Sequence, residues 1–95
     1  MKVFSVFDSA ANAYMQPFFM DTVPLALRAF TAAVNDEDHA FHRHAADYTL
    51  FEIGTFDQSS GELGTLQAYN RIVGGNEVAE LPSIPFEGGS NVSAA

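Results

Sequence analysis

Three histidines and three acids crowd one short stretch, Asp36-Glu37-Asp38-His39-Ala40-Phe41-His42-Arg43-His44, and metal binding is the first chemistry such residues suggest. The spacing H-x-x-H-x-H is that of neither a zinc helix nor a finger. It reads better as a solvated polar loop in which one histidine bonds the backbone. Nucleophilic catalysis has less support still. Ser5, Ser9, Ser59 and Ser60 lie in no nucleophile-elbow pattern, and all the histidines fall in a single loop. Asp47 and Glu52 could act as general acid and base, but twelve acids among 95 residues guarantee such pairs. Gly74-Gly75 lacks the Lys and Ser/Thr of a phosphate loop. The expectation is a protein that is not an enzyme, with no metal and no cofactor.

Binding chemistry is better supplied. Tyr14, Phe18, Phe19, Tyr48, Phe51 and Tyr69 could include platforms on which nucleic-acid bases stack. Tyr48, beside Asp47, and Tyr69, beside Arg71, are the aromatics expected to stay part-exposed. The cations are few: Lys2, Arg28, Arg43 and Arg71 face twelve acids, for a net charge of -8. A chain that held nucleic acid mainly by its phosphates would carry a basic stripe. Any DNA site must therefore gather these cations beside exposed aromatics, and Lys2, Arg28, Arg43, Tyr48, Tyr69 and Arg71 are the expected contacts.

The elements that would carry these residues follow from patterning. Lys2 to Phe7 reads as a strand with Val3 and Phe7 on one face and Phe4 and Val6 on the other. Asp8 to Tyr14 is either a short capped helical turn or a wide hairpin connection. Gln16 to Met20 is a second short strand pairing with the first, with Pro17 at its start. Thr22 is the expected N-cap of a helix with Pro24 in its first turn. Val23, Leu27, Phe30 and Val34, joined by Ala26 and Ala33, form its apolar face, which leaves Arg28 outside; Asn35 ends it. A polar loop from Asp36 to Asp47, with one turn around Phe41, leads to a strand over Tyr48 to Phe56. That strand points Phe51 and Ile53 one way and Tyr48, Leu50 and Phe56 the other. Asp57 to Gly61 is a turn with Gly61 left-handed. Thr65 to Val73 reads as a further strand with Leu66 and Ala68 buried and Tyr69 a third candidate for burial, stopped by Gly74-Gly75.

The expected fold is α+β: a small antiparallel sheet of three to four strands with one main helix packed on it. Residues 1–75 form the domain and 76–95 a Pro/Gly/Ser-rich, largely flexible tail that holds one apolar island, Leu81 to Phe86. Strands apolar on both faces, with one helix to cover one of them, predict a partner on the other, most simply a second copy of the chain. With 47% hydrophobic residues and nine Phe the chain can build a core. It has no cysteine, so neither a disulfide framework nor a thiolate metal site is open to it, which suits a reducing compartment. Its N-terminus turns polar too soon for a signal peptide, and no apolar run approaches the ~20 residues of a membrane helix.

Several stretches, taken in order, resemble one family. They are D-S-A-A-N-A-Y-x-x-P-F-F over Asp8 to Phe19, A-x-R-x-F over Ala26 to Phe30, and V-N-D at Val34 to Asp36. The last is H-x-x-D-Y-T-L-F-E-I-G-T-F-D over His44 to Asp57, followed by Gly61. Across residues 1 to 61 the chain resembles the small nonstructural protein of gokushovirus-like microviruses, phages with single-stranded circular DNA. His44-Ala45 stands where the resemblance calls for His-Pro. The resemblance implies a replication-stage protein of the host cytoplasm, absent from the mature virion, that binds DNA and helps turn replication toward single-strand synthesis and packaging. Its expected partners are single-stranded phage DNA, further copies of itself, and a phage replication or procapsid protein, with no membrane. The acidity keeps two other readings open. One is an adaptor that recruits a basic partner, such as the replication initiator or a procapsid protein, without touching DNA. The other is a DNA mimic that occupies a host protein's nucleic-acid site.

Overall fold

The computed structural model describes residues 1–80. Its elements run in the order β1 (Lys2–Asp8), β2 (Ala13–Tyr14), β3 (Phe18–Met20), α1 (Val23–Val34), α2 (Ala40–Arg43), a 3-10 turn (Ala45–Asp47), β4 (Tyr48–Phe56), β5 (Leu63–Gly74) and α3 (Gly75–Val78). All pairings are antiparallel. The sheet order is β2-β1-β4-β5, with β3 also pairing β1 on the side away from β4. This is the expected α+β sheet, with the second edge split into two short pieces. No helix among the described residues is long and apolar enough to cross a membrane.

The stretch after β1 is a hairpin connection. The Asp8 carboxylate accepts from the Ala10 and Ala11 amides, and Asn12 takes the left-handed φ of 54° that its short polar side chain tolerates. The chain then returns along β1, held by the Met15 amide on the Val6 carbonyl and by the Ser5 hydroxyl on the Met15 carbonyl. Pro17 precedes β3 and so removes no ladder hydrogen bond.

Thr22 caps α1, its hydroxyl accepting from the Leu25 amide, and Pro24 occupies the first turn. Ala26, Phe30 and Val34 are buried against Phe4 and Val6 of β1 and Leu50 of β4, with Phe41 of α2 closing the end of this core. Two of the three loop histidines are structural. His39 caps α2 by accepting from the Phe41 amide, and His42 donates from Nδ1 to the Val34 carbonyl. Among the described residues no group of three or more His, Cys, Asp or Glu is placed to hold a metal ion.

Two expectations need correction. Phe56 lies on the same face as Phe51, because a register shift pairs Phe4 with Glu52 but Val3 with Gly54 and so turns the end of β4 over. In β5, Leu66 is only half-buried, and Ala68 and Tyr69 are exposed. The pairing jumps from Asn70–Glu52 to Thr65–Gly54, so four residues of β5 bow outward opposite the single residue Ile53. α3 packs Val78 on the core, and the Asn35 side chain donates to the Val78 carbonyl and accepts from the Glu80 amide. The apolar island Leu81 to Phe86 and the rest of the tail lie outside the described residues.

Candidate nucleic-acid interface

A strand shows alternate side chains to opposite faces, and α1 covers only one face of this sheet. The register puts Phe7, Phe51, Phe19 and Phe56 on the other, open face. There the rings form two clusters. In the first, Tyr14 is the hub, with ring centroids 4.9 Å from Phe7, 5.7 Å from Phe51 and 5.7 Å from Tyr69. In the second, Phe19 meets Phe56 edge-on at 5.6 Å. Tyr14 and Tyr69 are 46% and 43% exposed, so their rings are offered to solvent rather than spent on the core. Val3 and Ser5, at the floor between the clusters, are buried.

The six expected contacts separate into three groups. Tyr69 and Arg71 are together on β5 beside the first cluster, Arg71 standing opposite Phe51 in the ladder. Its guanidinium is engaged, donating to Glu77 at 2.8 Å. That carboxylate also accepts from the Gly74 amide, and these two contacts, the amide first, hold its pKa below the usual glutamate range. Lys2 and Tyr48 form the second group, on the α1 side of the sheet. The Lys2 ammonium donates to the buried Glu52 carboxylate at 3.1 Å, and Tyr48 packs its ring 4.4 Å from that of Phe41. Arg28 on α1 and Arg43 on α2 are exposed, and neither has an ion-pair partner among the described residues. The cations therefore do not converge on the aromatic face; Arg71 alone borders it.

Sequence reasoning singled out Tyr14 and Phe51 as aromatics but not as members of one cluster with Tyr69. The signal for Tyr14 was the Asn12 turn, which folds β2 back onto Phe7. For Tyr69 it was hidden, because its position depends on the bow in β5.

A family model described as Phage ORF5 protein matches residues 1–78. The chain belongs to that family. The match spans every described element, from β1 through α3, so the aromatic face and the α1 face both lie within the family's domain. No curated protein and no solved structure matches the chain.

Proposed function

We propose that this phage protein binds single-stranded DNA without catalysis, and so aids genome replication or the switch to single-strand synthesis and packaging in the host cytoplasm, remaining outside the mature virion. The observation that carries the reading is the open aromatic face, with Tyr14 and Tyr69 exposed over Phe7 and Phe51. Unpaired bases stack on such rings with roughly 1–3 kcal/mol per base and little regard for sequence. Bases in a duplex are already stacked, so the preference is for single strands. The phosphate contribution is small, since the net charge is -8 and Arg71 is the cation at hand. Affinity is then modest, and salt weakens it with a shallow slope, about 0.7 per cation engaged.

A second reading is the acidic adaptor for a basic replication or procapsid protein, which needs no cation free to meet phosphate. Lys2 and Arg71 are each committed to a glutamate, which leaves their charge neutralised at the sheet.

Fluorescence anisotropy of a labelled single-stranded oligonucleotide, at low and moderate salt with a duplex control, separates the two. Saturable binding that prefers single strands, and that Tyr69→Ala or Tyr14→Ala weakens about tenfold, supports the DNA reading. An absence of binding at low salt by demonstrably folded protein refutes it and leaves the adaptor.

A further inference from the structure

Helix α1 carries a second apolar stripe. Besides the buried Ala26, Phe30 and Val34, it bears Leu25, Ala29 and Ala32 at i, i+4 and i+7 on its outer side, and Arg28 is the one charged residue in its twelve. A helix apolar nearly all round is one that has something on both sides of it. The outer stripe forms one wall of a groove of about 540 Å³. Met1, Phe19 and Met20 form the other wall, and Leu25, Phe19 and Met1 are 44%, 43% and 39% exposed. Two charged residues line the groove, Asp21 and Arg28. Neither is in an ion pair among the described residues, and the helix itself gives Arg28 no acid one turn away, since Pro24 and Ala32 occupy those positions.

We propose that this groove is the self-association surface of the chain, two copies packing α1 against α1 antiparallel about a two-fold axis near Leu25. The charge pattern selects a second copy as the occupant. Asp21 lies four residues before Leu25 and Arg28 three after it, one of each sign. In an isologous contact residue i meets residue j and j meets i, so each Asp21 faces the other copy's Arg28 and the pair forms twice, once on each side of the axis. Ala29 and Ala32 are small enough for the helix axes to approach within the 8–10 Å of ordinary helix packing, about the value for any close pair. Leu25 of each copy then enters the other's groove between Phe19 and Ala29. The groove takes Phe19 from the second aromatic cluster, but none of Phe7, Tyr14, Phe51 and Tyr69 lines it, so the first cluster stays open in the dimer, and the proposal stands whether or not that cluster binds DNA.

The test is sedimentation velocity on the full chain over a wide concentration range, without DNA. The expected result is a concentration-dependent dimer that Leu25→Glu makes monomeric. That variant keeps the fold, because Leu25 is exposed and a glutamate in the first turn suits the helix dipole, which circular dichroism verifies. Asp21→Arg and Arg28→Asp each raise the dimer Kd on the order of tenfold, as two symmetric contacts turn repulsive, and the double exchange returns it to within a few-fold of wild type. A monomer at every concentration overturns the proposal. So does a dimer that survives Leu25→Glu, or one that yields to Tyr14→Ala instead, or a double exchange no better than the single ones.

Discussion

Replacing Gly54 by alanine tests the packing of the β4–β5 hairpin. Gly54 faces Val3 on one side and Thr65 on the other. An added Cβ would overlap the Gly64 carbonyl oxygen and stand 3.3 Å from the Gly64 carbonyl carbon and 3.4 Å from the Thr65 Cα. All three are backbone atoms, so no side chain can swing aside and β5 itself must retreat. Overpacking of this kind costs about 1–3 kcal/mol, and a ladder hydrogen bond weakened by the retreat adds roughly 1 kcal/mol more. The alanine gives back about 0.4–1 kcal/mol by restricting the unfolded chain. The net loss is on the order of 2–3 kcal/mol, a Tm lower by roughly 10–20 °C for a domain of this size. Gly64→Ala is the internal control. It lies in the same strand pair, its added Cβ meets nothing within 4 Å, and its φ lies outside the left-handed region. It should leave stability unchanged or raise it by up to about 1 kcal/mol. Urea and thermal unfolding followed by far-ultraviolet circular dichroism read both variants. A Gly54→Ala protein within about 0.5 kcal/mol of Gly64→Ala, the scatter of ordinary surface changes, would refute the close-approach argument.

Two further outcomes follow from the ion pairs. Glu52 is 7% exposed and holds both the Lys2 ammonium and the Asn70 amide, so Glu52→Ala should cost about 2 kcal/mol in urea unfolding, whereas Glu52→Leu combined with Lys2→Met recovers most of it. Glu77 has a depressed folded pKa, so the stability it contributes is present above the unfolded value and is lost as pH falls through the folded one. Its carboxyl carbon, followed by NMR, should titrate below a free glutamate; Arg71→Ala should return it only part of the way, because the Gly74 amide is the larger cause.

Local chemistry made much of this fold legible. The Thr22 cap, Pro24 and the Val23-to-Val34 periodicity fix α1 without reference to the rest of the chain, and the two-faced pattern of β1 asks for cover on both faces, of which α1 supplies one. The register shifts were not legible. The shift between Val3 and Phe4 moves Phe56 to the open face, and the bow between Thr65 and Asn70 exposes Ala68 and Tyr69. Both depend on how far one strand slides past another, which alternation within a single strand does not encode. The same limit applied to the candidate site. Residue type marked Tyr48 and Tyr69 alike, but parity along β4 sends Tyr48 to Phe41 on the α1 side, while Tyr69 joins Tyr14 on the other.

The acidity and the aromatic face are reconciled by where the two surfaces lie. The α1 groove takes Phe19 from the second cluster but no residue of the Tyr14 cluster, so a dimer built through α1 leaves two Tyr14 clusters open. Each face alone offers stacking with one bordering cation, a contact too weak to hold a strand for long. A strand long enough to reach both faces gains the effective concentration of the second face once the first is engaged, and affinity rises without any new contact. That gain owes little to phosphate charge, so a protein with a net charge of -8 could hold single strands without a basic stripe, and let them go when the dimer separates. The two surfaces are then coupled through length: Leu25→Glu should leave the affinity for a short oligonucleotide unchanged while abolishing the advantage of a long one. Equal loss at both lengths would mean that α1 acts on the aromatic face itself rather than by joining two of them.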